Sequence, residues 1–216
     1  KSDQLIFSLF ISKDEIGLAA LDVSTGNFKV TQFNDDKTGS PLADELQKLG
    51  PKEILIPEAL VDQPKPWLPT GDPFLHSWED WTYSHSEAVR NLLNHFKTQS
   101  LEGFGCENMS HGISAAGALI HYLHETQKSA LEHINSISPF YIHDYMALDQ
   151  STVTSLELIQ SSEGTRKNSL LNLLDQSCTP MGARRIREWI IQPLIDSEKI
   201  KARLEIVSIF KSLPLN

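Results

Sequence analysis

Three apolar segments separated by short polar breaks open the chain, and they limit what it can fold into. The first, "QLIFSLFI" at 4–11, is apolar on both alternating faces, which is typical of a central strand covered on both sides. The next two, "IGLAALD" at 16–22 and "FKVTQF" at 28–33, follow after "SKDE" and the turn sequence "STGN". Connections this short predict an antiparallel meander of three strands.

The next segment predicts a helix and then a strand that returns to the sheet. The sequence 40–51 carries leucines at helical spacing and ends in Gly-Pro, which is a helix stop signal. "EILIP" at 53–57 then predicts a short buried strand, parallel to the sheet because a helix precedes it. The first domain is therefore predicted to be α/β, with a mixed sheet of five or six strands.

Three further predictions concern the rest of this domain. The Pro-rich and aromatic segment 62–83 predicts a loop with little regular structure. A capping box of Ser84 and Glu87 is predicted to open the helix that follows. A longer helix is predicted within 110–134, with one apolar side reaching Ile134 and a small-residue segment, "SAAGA", suited to close packing.

The character of the chain changes near 138–150. Residues 1–150 hold 10 Lys and Arg against 21 Asp and Glu, a net charge of -11, whereas residues 151–216 hold 9 against 7, a net charge of +2. This shift predicts two domains, 1–138 and 139–216. The second is predicted to be α-helical, with helices near 167–175, 180–192 and 197–210. Their apolar stripes have too few partners in so short a stretch, so we expect either a sizeable exposed apolar patch or its cover by a second copy of the chain.

The segment "TPMGARRIREWIIQPL" at 179–194 predicts one of these helices in detail. Thr179 is placed to cap it, Pro180 occupies the first helical position and Pro193 stops it. Arg184 and Arg187 lie opposite the apolar stripe. A mixed-charge face of this kind is more often solvated or salt-bridged than bound to DNA. The overall charge of -9 also argues against a free-standing DNA-binding module, because phosphate binding needs clustered cations.

The common nucleotide and metal motifs are missing from the sequence. A P-loop needs Gly-x-x-x-x-Gly-Lys-Ser/Thr, and the nearest spacing, Gly112 to Gly117, lacks the lysine and is predicted to be helical. Four candidate zinc ligands match no standard spacing: Cys106, His111, His121 and His124. We therefore predict no catalytic, cofactor-binding or metal-binding residue in this chain, and we expect it to hydrolyse neither ATP nor nucleic acid.

A nuclease is nevertheless one alternative, because a meander followed by helix and strand resembles the ribonuclease H-like fold. That chemistry holds metal ions between clustered carboxylates, one of them in the middle of the first strand. Here the first strand contains no acid, and Asp22 ends the second strand instead. We therefore predict a ribonuclease H-like domain without the catalytic arrangement.

The most specific resemblance lies within residues 148–207. The residues that carry it are Leu148-Asp149, Thr152, Leu156-Glu157-Leu158, Ser169-Leu170-Leu171, Leu174-Asp175, Thr179 to Gly182, Arg184, Trp189, Pro193-Leu194 and Arg203-Leu204. This pattern strongly resembles the MutS family of DNA mismatch-recognition ATPases, and it departs at Ser155, where the family usually has Asn. Upstream, "GLAALDVSTGNFKVTQF" and "YLHETQKSALEHI" resemble the connector domain of the same family.

The resemblance implies a fragment: a connector domain over 1–138, and over 139–216 the incomplete start of the helical core, or lever, domain. The parent would be a cytoplasmic, homodimeric, DNA-dependent ATPase that binds mismatched double-stranded DNA and uses ATP with magnesium. This part would link the mismatch-binding and ATPase domains and contact the repair protein MutL. No membrane association is expected, since the sequence has no apolar run of about 18 residues. The other alternative is a structural module of a MutS relative that does not act in mismatch repair. A mismatch-reading domain with Phe-x-Glu, found upstream of this chain, would argue against that alternative.

Overall fold

The computed structural model describes residues 5–13, 15–34, 40–69, 71, 73–127 and 131–212. The chain divides into two compact units, Lys1–Phe140 and Tyr141–Asn216.

The described residues of the first unit form a six-stranded mixed sheet. Its strands are β1 (Leu5–Ser12), β2 (Glu15–Asp22), β3 (Asn27–Asn34), β4 (Glu53–Pro57), β5 (Phe74–Trp78) and β6 (Ile137–Pro139). The strand order is β5-β4-β1-β2-β3-β6. The predicted meander is confirmed, because β1, β2 and β3 pair antiparallel, and β4 lies parallel to β1 as expected. β5 lies parallel to β4 and β6 parallel to β3.

The burial of β1 and of the first helix, α1 (Ser40–Leu49), agrees with the sequence pattern. β1 buries four consecutive residues, 6–9, which requires cover on both faces of the sheet. Leu42 and Leu46 of α1 are fully buried. Gly50 ends the helix with a positive φ of 61° and donates its N–H to the Leu46 carbonyl at 2.9 Å, a conformation that glycine adopts without steric cost.

The prediction of a loop over 62–83 is wrong in part, because β5 and a 3-10 turn at Asp80–Tyr83 lie within it. β5 pairs with β4 over all five of its residues. The strand is short, it follows directly after Pro73, and both its apolar and its polar positions are partly exposed. Its sequence therefore lacks the buried run that identified the central strands.

Two helices, α2 (His85–Phe96) and α3 (Ser110–Thr126), pack together at backbone distance. A Cβ at Gly117 of α3 would lie 2.2 Å from the Cα of Ala88 in α2, so only glycine fits there. A Cβ at Gly17 of β2 would lie 2.0 Å from the carbonyl oxygen of His111, so α3 also approaches the sheet closely. The close packing predicted for "SAAGA" is confirmed.

Two details of these helices differ from expectation. α3 ends at Thr126, whose hydroxyl bonds back to the Tyr122 carbonyl at 2.7 Å, and Ile134 joins the buried core from beyond the helix. The capping box is also wrong: Ser84 stands at the N-cap of α2, but its hydroxyl caps no backbone N–H of the described residues. Glu87 instead pairs with Arg90, one turn further along the helix.

The second unit is helical, as predicted, and its buried core is small. Its helices are α4 (Gln150–Ser155), α5 (Leu170–Leu174), α6 (Pro180–Ile191) and α7 (Ser197–Ser212). Leu148, Val153 and Leu158 form a buried cluster against which Ile190 of α6 packs. A single antiparallel bridge joins Tyr145 to Leu194.

Candidate functional site: the apolar helices of the second unit

The described residues of the first unit give no geometric support to nuclease chemistry. Asp22, the acid at the end of β2, accepts hydrogen bonds from the backbone N–H and the hydroxyl of Ser24, at 2.9 and 2.6 Å. It therefore stabilises the turn into β3. Within the part of the chain that the structure describes, no three His, Cys, Asp or Glu side chains are grouped so that they could hold a metal ion.

The four residues considered as zinc ligands lie in different environments. Cys106 is buried in the core of the first unit. His111 faces Glu15 at 3.0 Å, and His121 accepts a hydrogen bond from the indole N–H of Trp78 at 3.2 Å. The fourth, His124, contacts His95.

The contact between His95 and His124 has a defined polarity. His95 Nε2 lies 2.8 Å from the Ile134 carbonyl oxygen, which can only accept, so this nitrogen carries the proton. In the neutral ring His95 Nδ1 is then an acceptor, and His124 Nε2 donates to it at 3.1 Å. Burial lowers the pKa of His95, and the neighbouring His124 and His133 lower it further, against the opposing effect of the Ile134 hydrogen bond.

In the second unit, polar residues of the quoted motif cap the short helices. Asp149 accepts the Thr152 N–H at 2.7 Å and begins α4. Ser169 accepts the Asn172 N–H at 3.1 Å and begins α5. The predicted cap of α6 is confirmed, since the Thr179 hydroxyl accepts the Gly182 N–H at 3.1 Å. Each side chain satisfies a backbone donor that the first turn of a helix leaves open.

A second set of contacts holds α6 and α7 near the start of the unit. The Met146 N–H donates to the Pro193 carbonyl at 2.8 Å, and Lys199 pairs with Asp144 at 2.7 Å. The guanidinium of Arg203 lies 4.3 Å from the ring centroid of Trp189, within cation–π range.

The arginine face of α6 is engaged within the chain. Arg185 pairs with Glu188 at 3.0 Å, and Arg184 and Arg187 take part in further interactions. These contacts agree with the expectation of a mixed, salt-bridged face. They give no specific support to DNA contact by this helix.

The most unusual feature of the second unit is α7, which buries none of its residues. Ile200, Leu204 and Val207 lie on one side at helical spacing, and Ile206 and Phe210 on an adjoining side. We call these five residues the α7 apolar surface; all are exposed, with Phe210 at 69%. Leu173 and Leu174 of α5 are exposed as well. Within one chain these apolar side chains are therefore uncovered, as expected.

Comparison with known proteins identifies the family to which this chain belongs. Residues 4–135 match MutS domain II and residues 151–215 match MutS domain III. The chain belongs to the MutS family. Three relatives, each named DNA mismatch repair protein MutS, come from Halothermothrix orenii, Salinibacter ruber and Alkaliphilus metalliredigens. Their identities to this chain are 42%, 38% and 39%, over 96%, 90% and 98% of its length.

The MutS match extends over both units but covers a minor part of each relative. The chain spans 23%, 21% and 24% of the lengths of these three proteins, about a quarter. The motif residues that carry the resemblance within 148–207 include the caps of α4, α5 and α6. Among the described residues, no helix is long and apolar enough to cross a membrane.

Proposed function

We propose that this chain acts as domains II and III of a longer MutS protein, where it links a mismatch-binding domain to an ATPase domain. The observation that carries the proposal is the α7 apolar surface. A helix with exposed apolar residues on two adjoining sides is typical of a helix buried in a larger core. The match of 151–215 to MutS domain III supports further core helices of the same protein as its cover.

The properties of the whole protein follow by analogy with its relatives. We propose that it binds mismatched double-stranded DNA, hydrolyses ATP with magnesium in a DNA-dependent manner, and acts as a homodimer in the cytoplasm. The relatives' name, DNA mismatch repair protein MutS, supports this role. MutL is the proposed downstream partner. In this proposal the present chain holds no catalytic, cofactor or metal residue and serves to transmit conformation.

We further propose that residues 1–138 form a connector domain of ribonuclease H-like topology and that 139–216 begin the core domain. The strand arrangement supports the fold, because a three-stranded antiparallel meander is followed by a helix and by two parallel strands beside β1. The position of Asp22 in a turn argues against catalytic use of that fold.

The α7 apolar surface provides the test. The double variant Ile206→Glu/Phe210→Glu is compared in two contexts, the 216-residue chain and the full-length protein. In the chain both side chains are exposed, so the free energy of unfolding should change by about 0.5 kcal/mol or less. In the full-length protein the same charges would be buried without partners, so we expect a loss above about 2 kcal/mol and a raised mutation rate in cells that depend on this protein.

The exposed Glu205 on the same helix supplies the control, since Glu205→Gln should be neutral in both contexts. An equal, small effect of the double variant in both contexts would mean that α7 stays uncovered, and would refute the proposed packing. Wild-type stability of the full-length double variant together with loss of mismatch repair would instead mean that this surface acts in repair without being packed in the core.

A further inference from the structure

In the described part of the first unit, β5 is an edge strand of the sheet. Within the described residues β5 pairs only with β4, whereas the opposite edge is the three-residue strand β6, which ends in Pro139. Natural proteins protect sheet edges with short strands, prolines, lysines or bulges, because unpaired backbone groups attract other strands. β6 has such protection. β5, with the sequence "FLHSW", contains neither proline nor lysine.

The backbone of β5 presents hydrogen-bonding groups outward at alternate residues. The Phe74 N–H donates to the Lys52 carbonyl at 2.8 Å, on the β4 side. In a parallel pair every second residue bonds to the same neighbour, so His76 and Trp78 also face β4. The N–H and C=O groups of Leu75 and Ser77 therefore point away from the sheet, and Ser77 is exposed to solvent.

Aromatic side chains lie beside this open edge. Phe74 is 64% exposed, and its ring centroid lies 4.4 Å from that of His76. Trp81, just after the strand, is 48% exposed. A strand added to β5 would place alternate side chains next to these rings. Apolar residues would be buried there, and Lys or Arg would stack on the ring faces.

The charge around β5 determines which charge an added strand should carry. The described residues of 52–80 include five acids and two lysines. The ammonium of Lys65 is already bonded to the carbonyls of Val61 and Gln63, at 2.5 and 3.0 Å. The surroundings of β5 are therefore negative, which favours a positively charged segment and opposes pairing with a second copy of the same acidic edge.

From these observations we propose that β5 binds an extended, basic peptide segment of a partner protein by strand addition. Leu75 and Ser77 supply the backbone hydrogen bonds, Phe74 and Trp81 the contact surface, and the acids of 52–80 the charge preference. The inference rests on the geometry of the first unit and does not depend on the proposed role in mismatch repair.

A matched pair of variants isolates the backbone contribution. Ser77→Pro removes the N–H that points outward, leaves the hydrogen bonds to β4 in place, and is tolerated at an edge strand. Ser77→Ala keeps the N–H and removes only the hydroxyl. A third variant, Glu58→Lys/Asp62→Lys, reverses two exposed charges in the segment between β4 and β5 without altering β5. Circular dichroism and thermal unfolding establish that each variant is folded.

The probe is a random decapeptide library displayed on phage and selected on the immobilised 216-residue chain. We expect selected peptides to be enriched in Lys and Arg alternating with apolar residues. A selected peptide, labelled and titrated by fluorescence anisotropy, should bind Ser77→Ala like the wild type, and Ser77→Pro and the charge-reversed variant about tenfold more weakly. Amide signals of Leu75 and Ser77 should shift on binding, and N-methylation of alternate peptide amides should abolish it.

Four results would overturn the proposal: no enrichment, enrichment of acidic or uncharged peptides, equal binding by a folded Ser77→Pro variant, or shifts confined to another surface. A second copy of the chain is the competing occupant of this edge, and sedimentation of the chain alone tests for it. If the chain dimerises and Ser77→Pro abolishes the dimer, the edge binds a second copy, and the proposal of a basic peptide is contradicted.

Discussion

At the scale of single residues, His95 shows how burial sets a protonation state. Its Nε2 donates to the Ile134 carbonyl, so in the neutral ring its Nδ1 accepts from His124 Nε2. A proton on Nδ1 would face the N–H of His124 unless His124 changed to its other tautomer. Burial lowers the pKa of His95 in the folded state below its ordinary value of about 6.5.

The pH dependence of stability follows from that direction. Below about pH 6.5 the unfolded chain binds a proton at His95 that the folded chain does not, so the unfolded state gains stability as pH falls. We expect the free energy of unfolding to decrease between about pH 7 and pH 5, and the decrease to be smaller in His95→Gln. Urea titrations at a series of pH values measure it. His143→Gln, at an exposed position, serves as the control; an unchanged slope in His95→Gln would contradict the assignment.

At the scale of secondary-structure elements, α6 is a helix whose start is specified by its sequence. Thr179 accepts the Gly182 N–H, and Pro180 occupies the first turn, where a backbone N–H has no helical partner. We predict that Thr179→Ala destabilises the second unit by about 1 kcal/mol, because the cap oxygen is lost. Thr179→Ser keeps that oxygen and should retain most of the stability.

Hydrogen exchange of the α6 amides, measured beside urea unfolding, locates the effect. Faster exchange in Thr179→Ala than in Thr179→Ser is the expected result. Equal exchange in the two variants would mean that tertiary contacts, such as that between Trp189 and Arg203, determine the stability of this helix on their own.

The same elements show which features the sequence could specify. The meander, α1 and α6 carry complete local signals: apolar strands with short turns, a glycine stop, and a Thr-Pro start. β5 does not, because an edge strand is fixed by its pairing with β4 rather than by a buried apolar run. The capping box also failed, although the right residue types were present. Whether Ser84 or another group satisfies the first turn depends on side-chain directions that a spacing rule does not contain.

Of the candidate surfaces, too, some could be predicted from the sequence and others could not. The stripe of Ile200, Leu204 and Val207 in the α7 apolar surface could be predicted, because such stripes exceed the partners that so few residues can supply, whereas Ile206 and Phe210 were not predicted. The open edge at β5 could not, since it depends on which strand ends the sheet and which backbone groups face outward. The contact between His95 and His124 joins α2 to α3 and has no signal in either helix alone.

At the scale of the whole molecule, the segment between the two units is where coupling can be tested. The Phe140 N–H donates to the Val30 carbonyl at 2.9 Å and so belongs to the sheet of the first unit. Met146 is held within the second unit by its bond to Pro193. The segment near 138–150, where the sequence predicts the change of character, begins in the one unit and continues into the other. If the proposed role is correct, signals between mismatch and ATP sites in the full-length protein depend on an element with two arrangements that both sites bias.

We therefore predict the effect of a short flexible Gly-Ser segment inserted after Phe140 in the full-length protein. Mismatch binding and basal ATP hydrolysis should remain, because each unit keeps its internal contacts. The effect of each ligand on the other should fall several-fold, since typical coupling free energies are about 1–3 kcal/mol and a flexible joint transmits displacement poorly. Mismatch affinity measured with and without ATP tests this, and an equal insertion in the turn "STGN" at 24–27 is the control. Unchanged coupling in a folded variant would mean that the signal travels through other parts of the protein.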